Sequence, residues 1–61
     1  MKRIFKEKRY MVTKYTNDTA SDCGVLSGDD VHAILKGYKY DETFEMYFNA
    51  SATVGYDVQE V

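Results

Sequence analysis

Residues 26–37 read Leu-Ser-Gly-Asp-Asp-Val-His-Ala-Ile-Leu-Lys-Gly, and the start, the apolar face and the end of a helix can all be recognised in this stretch. Ser27 is a typical N-cap residue, and Asp30 three positions later forms a capping-box-like pair with it. Gly37 is suited to the left-handed position that follows many helices. Between these ends, one apolar face recurs at helical spacing: Val31, Ile34, Leu35 and Tyr38. The stretch predicts one helix of about nine residues, too short to be stable without a sheet beneath it.

The sequence after the helix predicts an antiparallel hairpin with one buried face. Apolar and polar residues alternate on either side of a small polar turn at residues 49–51, which is typical of half-buried strands. We expect the helix to pack on the apolar set: Phe44, Met46, Phe48, Val54, Tyr56 and Val58. Tyr47 is then expected to point away from the helix, and residues 38–42 are expected to be a connector.

The sequence before the helix predicts one strand from about Phe5 to Thr16, because this part is rich in β-branched and aromatic residues. Residues 17–22 are dense in turn-forming residues and predict a loop. Residues 23–26 form either a very short strand or an irregular lead-in to the helix. Residues 1–8 form a basic segment that either extends the first strand or frays. The expected fold is α+β, a single domain over residues 1–61, with one helix on one face of a three- or four-stranded antiparallel sheet.

Charge is distributed unevenly along the chain, although the net charge is only −2. Residues 1–14 hold six basic side chains and one acidic side chain, whereas residues 15–61 hold two basic and nine acidic side chains. Such asymmetry points either to a charged partner or to internal neutralisation, with the basic first strand beside the acidic last strand.

The residues available for catalysis or metal binding are few. Cys23 is the only cysteine and His32 the only histidine, whereas structural zinc sites use four such ligands. The glycines match no phosphate-binding motif. We therefore expect no enzyme activity, no metal and no cofactor. We expect a cytoplasmic protein, because a lone cysteine suits a reducing compartment and the sequence has no signal-peptide core. We also expect that it does not enter a membrane, because the sequence has no apolar run of about 18 residues.

Protein binding is the function that the composition favours. Six tyrosines exceed what so small a core can use, and exposed tyrosines beside carboxylates are frequent in binding surfaces. The candidate protein-binding residues are Tyr38, Tyr40, Asp41, Glu42, Glu45, Tyr47 and Asp57. Carboxylates arranged in this way could take the places of phosphates, so the sharper hypothesis is a regulator or inhibitor of a nucleic-acid-handling protein.

Two alternatives stay open. Basic residues interleaved with aromatic residues are typical of single-strand nucleic-acid binding, although a pI near 5.1 argues against it. The candidate residues for this function are Lys2, Arg3, Lys6, Lys8, Arg9, Tyr10, Lys14 and Tyr15. The second alternative is a structural homo-oligomer, because a chain of this size buries only about 60% of its unfolded surface by itself.

Overall fold

A computed structural model describes residues 3–61 as one five-stranded antiparallel sheet with one helix. The elements follow in the order β1 (Arg9–Thr16), β2 (Thr19–Ser27), α1 (Gly28–Ile34), β3 (Lys39–Asp41), β4 (Met46–Phe48) and β5 (Val54–Glu60). The strand order across the sheet is β2-β1-β5-β4-β3. The α+β class is confirmed, but the sheet has five strands and not three or four.

β2 includes the short strand that the sequence left open at residues 23–26, but it begins at Thr19 and so covers most of the segment that was predicted as a loop. β1 and β2 form a hairpin with a two-residue turn, in which Asn17 adopts a φ of 52°. The register shifts where Gly24, at a φ of 80°, faces Val12, and Asp22 Oδ1 accepts a hydrogen bond from the Gly24 N–H. The loop prediction was wrong because β2 is an edge strand, where polar turn-forming residues meet water and cost little.

The strand that exceeds the expected number is β3, which lies in the predicted connector. Its three residues pair with β4, Tyr40 opposite Tyr47 and Asp41 opposite Met46. The expected pairing after it is confirmed, since β4 pairs with β5 and Asn49 Oδ1 accepts hydrogen bonds from the Thr53 and Val54 N–H groups in the intervening turn.

The helix begins as predicted. Ser27 is the N-cap, and its hydroxyl accepts a hydrogen bond from the Asp30 N–H at 3.3 Å. The helix ends at Ile34, earlier than predicted, and Gly37 takes the expected positive φ of 83°. None of the described helices is long and apolar enough to cross a bilayer.

The segment before β1 crosses the start of the helix and does not extend the strand. Lys8 N–H donates to the Phe5 carbonyl, which turns the chain, and β1 therefore starts at Arg9 and not near Phe5. Gly28 lies against this segment so closely that a Cβ there would overlap the Phe5 carbonyl oxygen and stand 2.8 Å from the Lys6 Cα. His32 lies one helical turn after Gly28 on the same face, and its Nε2 is 2.7 Å from the Ile4 carbonyl oxygen.

The core lies between the helix and the middle of the sheet. Four side chains are buried, and they come from β1, α1 and β5: Tyr10, Val12, Val31 and Val58. Further side chains pack around them: Ile4, Leu26, Leu35, Tyr47 and Tyr56. The expected positions of Tyr56 and Val58 on the helix side are confirmed.

The expected face of β4 was wrong. Tyr47 pairs with Tyr56 and packs on the core, whereas Met46 and Phe48 lie on the side of the sheet away from the helix. Phe44 precedes the strand and is 65% exposed. Side chains along β4 do alternate between the two faces of the sheet, as the sequence predicted. However, the Tyr47 ring contacts the core, and Phe48 lies on the face away from the helix.

β1 lies beside β5, which is the arrangement expected for internal neutralisation of charge. Lys8 Nζ is 3.1 Å from Glu60 Oε2. Both side chains are about half exposed, and such pairs contribute little to stability. Neutralisation of the basic residues is therefore partial, because Lys8–Glu60 is the one ion pair that the structure records among residues 3–61.

Candidate protein-binding surface

The turn between β3 and β4 presents an aromatic ring among carboxylates. We call residues 41–45, Asp-Glu-Thr-Phe-Glu, the acidic hairpin tip. Asp41 Oδ1 accepts hydrogen bonds from the Thr43 N–H at 2.8 Å and the Phe44 N–H at 3.3 Å. Glu45 closes the turn at a φ of 54°. The side chain of Asp41 thus fixes the backbone that carries the exposed Phe44 ring.

Four carboxylates act on the Tyr40 hydroxyl at the base of this tip. Loss of hydration raises the pKa of Tyr40 most, and the negative charges of nearby carboxylates raise it further. In decreasing order of effect these carboxylates are Glu45, Glu42, Asp41 and Asp57. The structure therefore brings five of the seven predicted protein-binding residues into one negatively charged region.

The other two predicted residues, Tyr38 and Tyr47, lie on the helix side of the sheet, and Tyr40, directly opposite Tyr47, shares that side. The Tyr38 ring packs against Tyr56 with centroids 5.4 Å apart, and the Tyr40 ring packs against Tyr47 at 5.0 Å. Burial raises the pKa of Tyr47, and the neighbouring Tyr40 and Tyr10 raise it further. Tyr47 is thus a supporting residue of the tip, held between Tyr40 and the core, and not an outward-facing contact.

The sheet surface away from the helix carries apolar side chains that no other element covers among the described residues. We call this surface the open face. Strand pairing places five apolar side chains on it: Met11, Tyr15, Val25, Met46 and Phe48. Met11 and Val25 lie opposite each other and are each about half exposed.

The acidic hairpin tip adjoins the open face. Phe44 packs edge-on against Phe48, with ring centroids 5.8 Å apart. The sequence pattern did not indicate that Phe44, Met11 and Val25 lie at the surface. For Met11 the available signal was that neither face of the first strand is purely polar, which is expected when both faces meet apolar groups.

The candidate nucleic-acid residues do not share one surface. Lys2 lies outside the described residues. Tyr10 is 2% exposed, and its hydroxyl accepts a hydrogen bond from the Phe5 N–H, which leaves no ring face for a base. Alternation along β1 places Lys14 on the helix side, but Arg9 and Tyr15 on the open face.

The remaining basic residues of this set surround Phe5. Arg3 and Lys8 lie over its ring at 5.7 and 5.2 Å from the centroid, and Lys6 is exposed nearby.

The two residues considered for catalysis, Cys23 and His32, lie in different environments. Cys23 is a free, exposed thiol on β2, and His32 contacts the Ile4 carbonyl. Within residues 3–61, no three His, Cys, Asp or Glu side chains are grouped so that they could hold a metal ion.

Comparison with known proteins finds no matching family model, no similar curated protein and no similar solved structure.

Proposed function

We propose that this protein binds another protein through the acidic hairpin tip and the adjoining open face, and that it acts as a small non-enzymatic regulator or inhibitor. The observation that carries the proposal is Phe44. Its ring is 65% exposed on a turn whose backbone is held by two hydrogen bonds to Asp41. An aromatic ring presented on an ordered turn loses little conformational entropy on binding, which is typical of interface anchors.

The charge around Phe44 indicates what kind of surface the partner presents. Glu42 and Glu45 flank the ring in sequence, and Asp41 and Asp57 add charge near Tyr40. This arrangement complements a basic surface that contains an apolar pocket, because opposite potentials steer encounter and fix orientation. A groove that normally holds a nucleic-acid backbone has this character, with the carboxylates in the places of phosphates.

The open face supplies additional contact area next to the anchor. Phe48 contacts Phe44 and lies in the same cross-strand row as Gly55 and Tyr15. Met11 and Val25, each about half exposed, form a second apolar pair further along this face. Asp57 and Gln59 of β5 lie on this face between the two apolar groups. Exposed apolar surface beside polar groups is typical of interaction sites.

Charge reversal at the tip tests the proposal. Glu42 and Glu45 are both exposed, and the structure records no hydrogen bond from either side chain, so Glu42→Lys/Glu45→Lys should fold normally. Asp41 is left unchanged because it holds the turn. The matched control is Glu7→Lys/Asp18→Lys, which changes the net charge equally at exposed positions outside the tip.

The readout is affinity capture from lysate with and without nuclease treatment, at low and moderate salt, with captured proteins identified by mass spectrometry. We expect one basic protein to be retained by the wild type and by the control, and to be lost with the tip variant. Equal capture by all three chains would refute the proposal. Capture that disappears after nuclease treatment would instead favour the nucleic-acid alternative.

A further inference from the structure

We infer that the groove between the N-terminal segment and the end of the helix binds a small organic anion with an aromatic or apolar body. The groove is open to solvent and has a volume of about 500 Å³, within the range of small-molecule sites. It lies on the helix side of the sheet, away from the open face.

Its lining carries positive charge without any carboxylate. Arg3 comes from the N-terminal segment and Lys36 from the turn after the helix, and the His32 ring also lines the groove. Among residues 3–61, no carboxylate lies within ion-pair distance of Arg3 or Lys36, whereas Lys8 is paired with Glu60. These two cations are therefore unneutralised in a chain whose acidic residues outnumber its basic ones.

The rest of the lining suits an apolar body. Tyr38 and Tyr47 contribute ring surface, and Ile4 and Leu35 contribute aliphatic surface. The Tyr47 ring packs against Tyr40, and the Tyr38 ring packs against Tyr56. Apolar walls with a few charged groups at one side are typical of sites for small amphiphilic ligands.

The groove is formed before any ligand arrives. His32 Nε2 and the Ile4 carbonyl oxygen are 2.7 Å apart, which joins its two sides. The Tyr38 N–H donates to the Leu35 carbonyl and so occupies one of the carbonyl groups at the helix end. Arg3 is positioned at the rim by the Phe5 ring, over which its guanidinium lies.

The test is a titration followed by ¹H–¹⁵N NMR with phenyl phosphate as the probe. We expect saturable shifts at the backbone amides of Ile4, His32, Leu35, Lys36, Tyr38 and Tyr47. Inorganic phosphate and benzyl alcohol carry only the charge or only the ring, and each should bind at least about tenfold more weakly.

Variants identify the cations. Arg3→Ala and Lys36→Ala should each weaken phenyl phosphate binding by about three- to tenfold, since each removes one charge-assisted contact. Lys39→Ala is the matched control because Lys39 is exposed and lies outside the groove. The inference is overturned if no saturable shift occurs up to about 10 mM, if benzyl alcohol binds equally well, or if Lys39→Ala weakens binding as much as Lys36→Ala. None of these outcomes depends on a protein partner.

Discussion

Phe48 lies directly opposite Gly55 on the neighbouring strand, and its ring occupies the space that a side chain at position 55 would fill. A Cβ at Gly55 would stand 2.8 Å from Phe48 Cε1 and 2.9 Å from the Met46 methyl carbon. Covering of a strand glycine by a cross-strand aromatic ring stabilises a sheet. Phe48 therefore belongs to the open face, and its packing is independent of the helix.

A double-mutant cycle tests this relationship. Phe48→Ala should lower the free energy of unfolding by about 1–2 kcal/mol, less than the 3–5 kcal/mol typical of a core phenylalanine, because the ring is only half buried. Gly55→Ala should be less favourable in the wild type than in the Phe48→Ala background by about 0.5–1 kcal/mol. Urea denaturation of the four chains gives both values. Strict additivity would show that the ring does not lie over Gly55.

Gly28 tests the crossing of the N-terminal segment over the helix. Alanine at a helical position is normally favourable over glycine by about 1 kcal/mol. Gly28→Ala should instead destabilise the protein by about 1–3 kcal/mol, because its Cβ would overlap backbone atoms of Phe5 and Lys6 that cannot rotate away.

The control for this substitution is Ala33→Gly at an exposed position of the same helix. It should also destabilise, by about 1 kcal/mol. The melting temperatures of both variants test this expectation. A Gly28→Ala variant that melts at or above the wild-type temperature would show that the N-terminal segment does not pack against position 28.

The helix could be predicted from the sequence because its determinants are local. The Ser27 hydroxyl acts on an N–H three residues away, and Gly37 has the backbone freedom to adopt its positive φ. Such interactions do not depend on which element packs against the helix.

The sheet was harder to predict because its faces are set by non-local pairing. The alternation in the sequence places Tyr47 on the polar face of its strand, but its pairing with Tyr56 directs its side chain to the core. The polar sequence of β2 reads as a loop, because an edge strand has no need of apolar residues on its exposed positions.

The binding surface was predictable in its charge but not in its anchor. The carboxylates at residues 41, 42 and 45 are close in sequence, so their grouping follows directly. Phe44 was assigned to the core because it continues the alternation of Met46 and Phe48. The hydrogen bonds to Asp41 make residues 42–45 a turn instead, and this places the Phe44 ring outside.

Alkaline pH should destabilise the protein through Tyr47. Burial raises the pKa of Tyr47 in the folded state, whereas the unfolded value is about 10. The folded chain thus holds the proton to higher pH than the unfolded chain does. This contribution to stability is complete below about pH 10 and is lost as the pH rises through the folded pKa.

Urea midpoints on either side of pH 10 measure the effect. Tyr47→Phe removes the ionisable group, so the variant should lose less stability than the wild type on going to alkaline pH. A drop of the same size in both chains would contradict the raised pKa.

Tyr40 reports whether the carboxylates of the acidic hairpin tip surround it. Its pKa is raised by loss of hydration and then by Glu45 and Glu42. Reversing both charges in Glu42→Lys/Glu45→Lys should lower the pKa of Tyr40, as measured by the NMR shift of its ring carbons against pH. The Glu7→Lys/Asp18→Lys control should leave that titration curve unchanged; an equal change in both variants would mean that only net charge matters.

The dissociation constant of the purified partner for Phe44→Ala tests whether Phe44 anchors a protein partner. Isothermal titration calorimetry should show Kd raised by about 30-fold or more, equivalent to an interface anchor worth about 2 kcal/mol. The melting temperature should stay close to that of the wild type, because the ring is 65% exposed in the free protein. A Phe44→Ala variant that keeps its fold and binds the partner within twofold of the wild-type Kd would contradict the account.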